Sequence, residues 1–290
     1  MWFWWAILSA VFSAISIILN KKALKSINAS LVSWALFAFS IPFLIYPALK
    51  DGWPKLNLTF IIVTLASVVG FAFAKTLSLR SLKHSKLMSE IVPLAFFAVL
   101  IQYALGAIFL NEKIRLLPSI GLILIIFGGY YLKISEAKED ILRPFKLIFT
   151  NKNSFYYLLA MLIMPFTSLM DKLGLLNLHP VNQSFLLLWE NFWTAVLLTG
   201  YMTHRDKNWI NDLRANFKVL FINGFIFAIL ALLYFYSITT GALALVSGVK
   251  KLEAFFVLIF GWLIFGDKPK REVWIGSLIM LVGVFLIKLA

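Results

Sequence analysis

Ten stretches of 17 or more residues, almost free of charge, follow one another along the chain: 2–20, 28–49, 58–79, 87–110, 116–132, 154–170, 182–203, 218–238, 242–265 and 272–288. A helix needs about 20 predominantly apolar residues to cross a bilayer core, so each stretch suffices for one crossing and little chain is left over. Helices are expected because lipid offers no partner to free backbone groups, and no alternating strand pattern is present. The chain is 61% hydrophobic and 14% charged, against about 25% charged in soluble domains. A soluble fold could not cover that much apolar surface, which excludes a soluble enzyme and a disordered chain. The net charge of +14 lies in short clusters between the stretches, which reads as membrane topology and not as a nucleic-acid partner. There is no cysteine, so disulfides, thiol catalysis and Cys-ligated metal are excluded. The N-terminus runs uncharged from Met1 to Asn20, without the basic start of a cleavable signal, and predicts a retained first span. From Val219 to Val249 no charge occurs. That is too long for one crossing, and a break is expected at Thr239-Thr240-Gly241.

A charged linker, 135–153, separates segments 1–134 and 154–290, and the two segments look like copies. A shift of 155 residues lays Asn111-Glu112-Lys113 on Gly266-Asp267-Lys268, Gly121 on Gly276 and Gly128 on Gly283. Five spans per copy is an odd number, so the second must enter the membrane upside down. The expected fold is an all-α membrane protein of ten transmembrane helices arranged as two inverted five-helix repeats. Substrate sites in such architectures lie between the repeats near the midplane.

Two segments, IVPLAFFAVLIQYALGAIFLNEK at 91–113 and GVKKLEAFFVLIFGWLIFGDK at 248–268, each precede a glycine-bearing span. In these the chain resembles the EamA-type, ten-helix branch of the drug/metabolite transporter superfamily, and the resemblance extends over nearly its whole length. The small multidrug branch of that superfamily carries a carboxylate in its first helix for proton and cationic drug. Here the first span offers only Ser9, Ser13, Ser16 and Asn20. Lys250-Lys251 is similar to the Lys-Arg pair with which phosphate-translocator relatives hold phosphate, and the likeness implies an anion site.

Charges within the spans demand a partner, a cavity or a function, since each costs about 2.5–3.5 kcal/mol at the bilayer centre. Lys251 lies ten residues past Gly241, roughly 15 Å along a helix and close to the midplane. Lys250 has Glu253 one turn away, which allows an ion pair. Glu190, in Trp189-Glu190-Asn191-Phe192-Trp193, is about 12 Å deep and could carry a proton or neutralise one of the lysines. Lys75 and Glu90 flank a short turn at similar depth and are expected to form a salt bridge. Pro93 lies one turn beyond Glu90; it, Pro42 and Pro165 are expected to kink their spans. Lys251, Lys250, Glu190, Trp189, Trp193 and Tyr234 are the candidate substrate contacts, and Lys75, Glu90, Glu253 and Pro93 the structural or gating set. Asp171-Lys172 and Asn20-Lys21-Lys22 end spans and read as terminal anchors.

No catalytic, metal-ligand or phosphate-loop pattern is present, so no enzyme and no cofactor is expected. The function expected is secondary-active transport of a small polar, anionic metabolite by alternating access through a central cavity. A coupled proton or Na+ and membrane lipid are the further partners, in a plasma membrane of bacterial or archaeal inner type. The alternatives are a lipid-linked carrier flippase, or efflux of amino acids or drugs. Loops after odd-numbered spans hold most of the 27 Lys and Arg, which places those loops in the cytoplasm and both termini outside. The resemblance instead implies cytoplasmic termini.

Overall fold

The computed structural model describes residues 1–50, 52–84, 95–113, 115–137, 152–205, 208–265 and 271–289. The helices in these residues are α1 (Trp2–Ala23), α2 (Ala29–Ala38), α3 (Ile41–Leu49), α4 (Leu58–His84), α5 (Ala98–Phe109), α6 (Leu116–Ala137) and α7 (Lys152–Leu176). They continue with α8 (Gln183–Arg205), α9 (Trp209–Ala215), α10 (Phe217–Thr240), α11 (Leu243–Lys250), α12 (Glu253–Phe265) and α13 (Arg271–Leu289). Helices α1, α2–α3, α4, α7 and α10 are long and apolar enough to cross a membrane. Two spans are each built of two pieces, α2–α3 and α11–α12, and the short α9 lies in the connection between α8 and α10.

Asparagines at the ends of the apolar stretches set several helix boundaries. The side-chain oxygens of Asn28, Asn57 and Asn182 accept from the backbone N–H groups of Ser30, Phe60 and Phe185 at 3.1, 2.7 and 2.9 Å. Each thus satisfies a donor at a helix start that has no partner within the helix. Asn111, at φ 53°, ends α5 in the left-handed conformation that asparagine tolerates. Gly241 ends α10 as expected, where a Cβ would stand 2.6 Å from Val246 Cγ2.

The buried face of α1 is made of small residues. They are Ala6, Ser9, Ala10, Ser13, Ala14, Ser16, Asn20 and Ala23, while Trp4, Trp5, Leu8 and Ile17 are exposed. This is what a lipid solvent favours: bulky apolar groups gain nothing from leaving lipid, and small ones let helices approach closely.

Inversion of the repeats is visible in the packing. Helix α1 packs on α10 and α7 on α4, α6 packs on α13, and α8 contacts α2 and α3. Helix α5 begins at Ala98 and α12 at Glu253; α6 begins at Leu116 and α13 at Arg271. Both pairs keep the 155-residue shift. A Cβ on Gly121 would meet the Gly283 carbonyl at 2.5 Å, and one on Gly128 the Gly276 carbonyl at 2.8 Å. Residue numbers rise along α6 as they fall along α13, so the two run antiparallel, and each glycine meets the counterpart of the other. Only a pseudo-two-fold axis perpendicular to the helices, in the plane of the membrane, gives that exchange. The fold is all-α, with ten transmembrane helices in two inverted five-helix repeats.

A turn and a break fall at matching positions of the two repeats. A tight turn at Ala95–Phe97 leads into α5, and 155 residues later Lys251–Leu252 separates α11 from α12. In the second, Lys251 N–H bonds Ser247 and Gly248 carbonyls at 3.2 and 3.0 Å, and Ala254 N–H bonds the Lys251 carbonyl at 3.1 Å. The span expected as one helix over 242–265 is therefore interrupted at its lysines. The break between α2 and α3 falls at Phe39–Ser40, with Pro42 in the first turn of α3, where its missing N–H is harmless.

Candidate functional site

The interrupted helix delivers its charges to the middle of the bundle. Lys250, which ends α11, holds its Nζ 4.5 Å from the centre of the Tyr234 ring on α10. Lys251 Nζ lies 5.7 Å from the Phe96 ring, so the break between α11 and α12 touches the turn that leads into α5. Lys75 on α4 holds Nζ 5.8 Å from the Phe227 ring of α10. An ammonium over a ring face is attracted by the ring quadrupole, an interaction that strengthens away from water. Among the described residues, none of these three lysines forms an ion pair with a carboxylate.

Glu253, first residue of α12, accepts from the Ser13 hydroxyl of α1. It lies near Lys75, Lys250, Lys251 and the Tyr157 hydroxyl. The Lys250–Glu253 ion pair that the spacing allows is not formed: after Lys250 the chain turns, so the two side chains do not share one continuous helix face. The expected Lys75–Glu90 bridge lies outside the described residues, as does Pro93.

Asp171 on α7 accepts from Ser67 on α4, and its carboxyl lies near that of Glu190 on α8. Glu190 is 7% exposed, and its Oε1 has no hydrogen-bond partner. Lys250 is close enough to Asp171 to feel its charge, which joins the carboxyl pair to the lysines. Tyr234 lies beside Ser168 and Ser247. Trp189 donates its Nε1–H to Thr64 at 3.1 Å and packs on Phe60, Phe185 and Trp193. The buried Trp193 Nε1 has no partner.

Lys250, Lys251, Glu190, Glu253, Lys75 and Tyr234 thus come together, with Trp189 and Trp193 on the flank beside Glu190. Ser67, Phe96 and Asp171 join them, none of which the sequence offered as a contact at the site. The sequence also misplaces Asp171-Lys172 as an anchor. Helix α7 continues to Leu176, so both residues lie more than a turn inside the helix. The buried Lys172 ammonium makes an ion pair with Glu112 at 2.5 Å and donates to the Gly241 carbonyl at 2.7 Å. The signal that could have identified the pair was Glu112 itself, an acid immediately after an apolar span.

Comparison with known proteins bears on the fold and the family. The sequence profile of the EamA-like transporter family matches residues 1–133 and 152–289. One solved structure, described as a crystal structure of a protein, superposes with a TM-score of 0.72 at 13% identity, covering 98% of this chain and 93% of that one. No curated protein matches the chain.

Proposed function

The chain belongs to the EamA-like transporter family, and from that premise we propose that it moves a small anionic metabolite across the plasma membrane by alternating access between its inverted repeats. The observation that carries this reading is the set of three lysines, Lys75, Lys250 and Lys251, held over rings and without carboxylate partners among the described residues. A buried lysine charge without an ion-pair partner among the described residues is one that an anionic substrate group can neutralise. Discontinuous helices near the midplane are where such transporters bind substrate, and Lys251 stands at such an interruption. The Asp171–Glu190 pair is the seat for a coupled proton or Na+.

The experiment is uptake by proteoliposomes across a panel of small carboxylates, phosphates, neutral amino acids and organic cations, under imposed pH or Na+ gradients. Accumulation of a carboxylate or phosphate, reduced in Lys251→Ala, is the expected result. Accumulation of cations alone would overturn it.

A further inference from the structure

Glu112 and Lys172 meet at the face of the bundle where α5, α7 and α10 end and α11 begins. Their contact involves more than two charges. Lys172 Nζ donates to the Gly241 carbonyl at 2.7 Å, and Glu112 Oε2 accepts from the Leu243 backbone N–H at 2.8 Å. One acid from the first repeat therefore ties down three elements of the second: the end of α7, the turn after α10, and the start of α11. Both side chains are 10% exposed. The local chain is shaped for the contact. The left-handed Asn111 folds the chain back so that Glu112 N–H bonds the Gly106 carbonyl at 3.1 Å. Gly106 leaves room for the carboxylate, which a Cβ there would approach to 2.5 Å at Oε2.

The opposite face differs. For the first helix of each repeat a shift of 151 residues, four fewer than in the later helices, lays buried Ala6, Ala10, Ala14, Ser16 and Ala23 of α1 on buried Tyr157, Met161, Pro165, Thr167 and Gly174 of α7. The same register places Lys21 where α7 has Lys172, yet Lys21 is exposed. Lys172 is thus buried where its counterpart Lys21 is exposed, as expected of inverted repeats caught in two different conformations.

We infer that the Glu112–Lys172 pair, with the Gly241 carbonyl and the Leu243 N–H, is a latch that shuts this mouth of the transport path and must release for the mouth to open. The inference rests on the alternating-access reading above, but its test does not depend on transport.

The chain has no cysteine, so a single introduced thiol is a clean reporter. Ser247 on α11 is buried at 6% exposure, one turn inside Leu243. Ser247→Cys would be challenged with a membrane-impermeant thiol reagent added to either side of oriented vesicles, with Lys55→Cys marking the latch side. The reporter is expected to be protected from that side. Glu112→Gln, Lys172→Met and Gly106→Ala should each speed its labelling from the latch side by at least about 5-fold, the lower end of typical coupling between two states. Gly106→Ala displaces the carboxylate without altering any charge, and so covers the case in which a charge variant fails to fold. Labelling of the parent reporter from the latch side would overturn the latch. So would variants that melt at lower temperature while protection is unchanged, since the pair would then serve stability alone. Faster labelling in a protein that moves no member of the metabolite panel would overturn the transport reading and leave the latch standing.

Discussion

A lysine held over a ring keeps its charge available, whereas one paired with a carboxylate has already used it. Lys251, over Phe96, is of the first kind, and replacing it with alanine removes a charge-assisted contact worth roughly 1.5–3 kcal/mol to a bound anion. Binding of the transported anion should weaken about 10- to 100-fold, with little change in melting temperature. Titration calorimetry and a thermal melt of Lys251→Ala check both halves; a large loss of stability would make this lysine structural. Asn191 serves the fold instead, donating to Ser40 Oγ at 2.7 Å beside the break in the second span. Asn191→Ala should cost about 0.6–1.7 kcal/mol, the range for hydrogen bonds between membrane helices, read by thermal melting in detergent. The sequence disclosed Lys75, Glu190, Lys250 and Lys251 because a charge inside an apolar run has no ordinary reason to be there. It hid Asp171, Lys172 and Glu112 because a charge at the edge of a run has one. Only where the helix stops shows which side of the boundary such a charge is on.

Among the elements, α6 and α13 meet through backbone. Gly121→Ala and Gly283→Ala would each press a Cβ to 2.5 Å from a facing carbonyl. Each should lower stability by about 1–3 kcal/mol, the usual cost of overpacking. Gly200, where a Cβ meets nothing within 4 Å, is the control: Gly200→Ala should leave the melting temperature unchanged or raised. Equal melting of all three would refute the close seam. The glycine pairs and the turn at Gly241 were legible because glycine marks close approach and sharp turns. The interruption at Lys251–Leu252 was not, because no proline or glycine stands at the break itself.

Across the whole molecule the repeats interlock instead of standing side by side: α1 lies on α10, α7 on α4, and α6 on α13. Neither half buries its own small-residue faces, so neither is a folding unit. Segments 1–137 and 152–290, synthesised as separate chains in one cell, should copurify, while either alone should be degraded; stable, monodisperse halves would contradict the interlock. The sequence showed the inversion through its odd number of spans per repeat. It could not show which faces meet, because a shift of 155 residues relates copies without saying how they are docked. The seam between α6 and α13 also sets a clock on biosynthesis. Gly121 and Gly128 leave the ribosome about 155 residues before Gly276 and Gly283, and at roughly 5–20 residues per second that is roughly 10–30 s. For that interval α6 is in the membrane with a notched face and nothing to fill it. The cell's insertion and quality-control machinery must shelter this half-built chain before its partner helix exists.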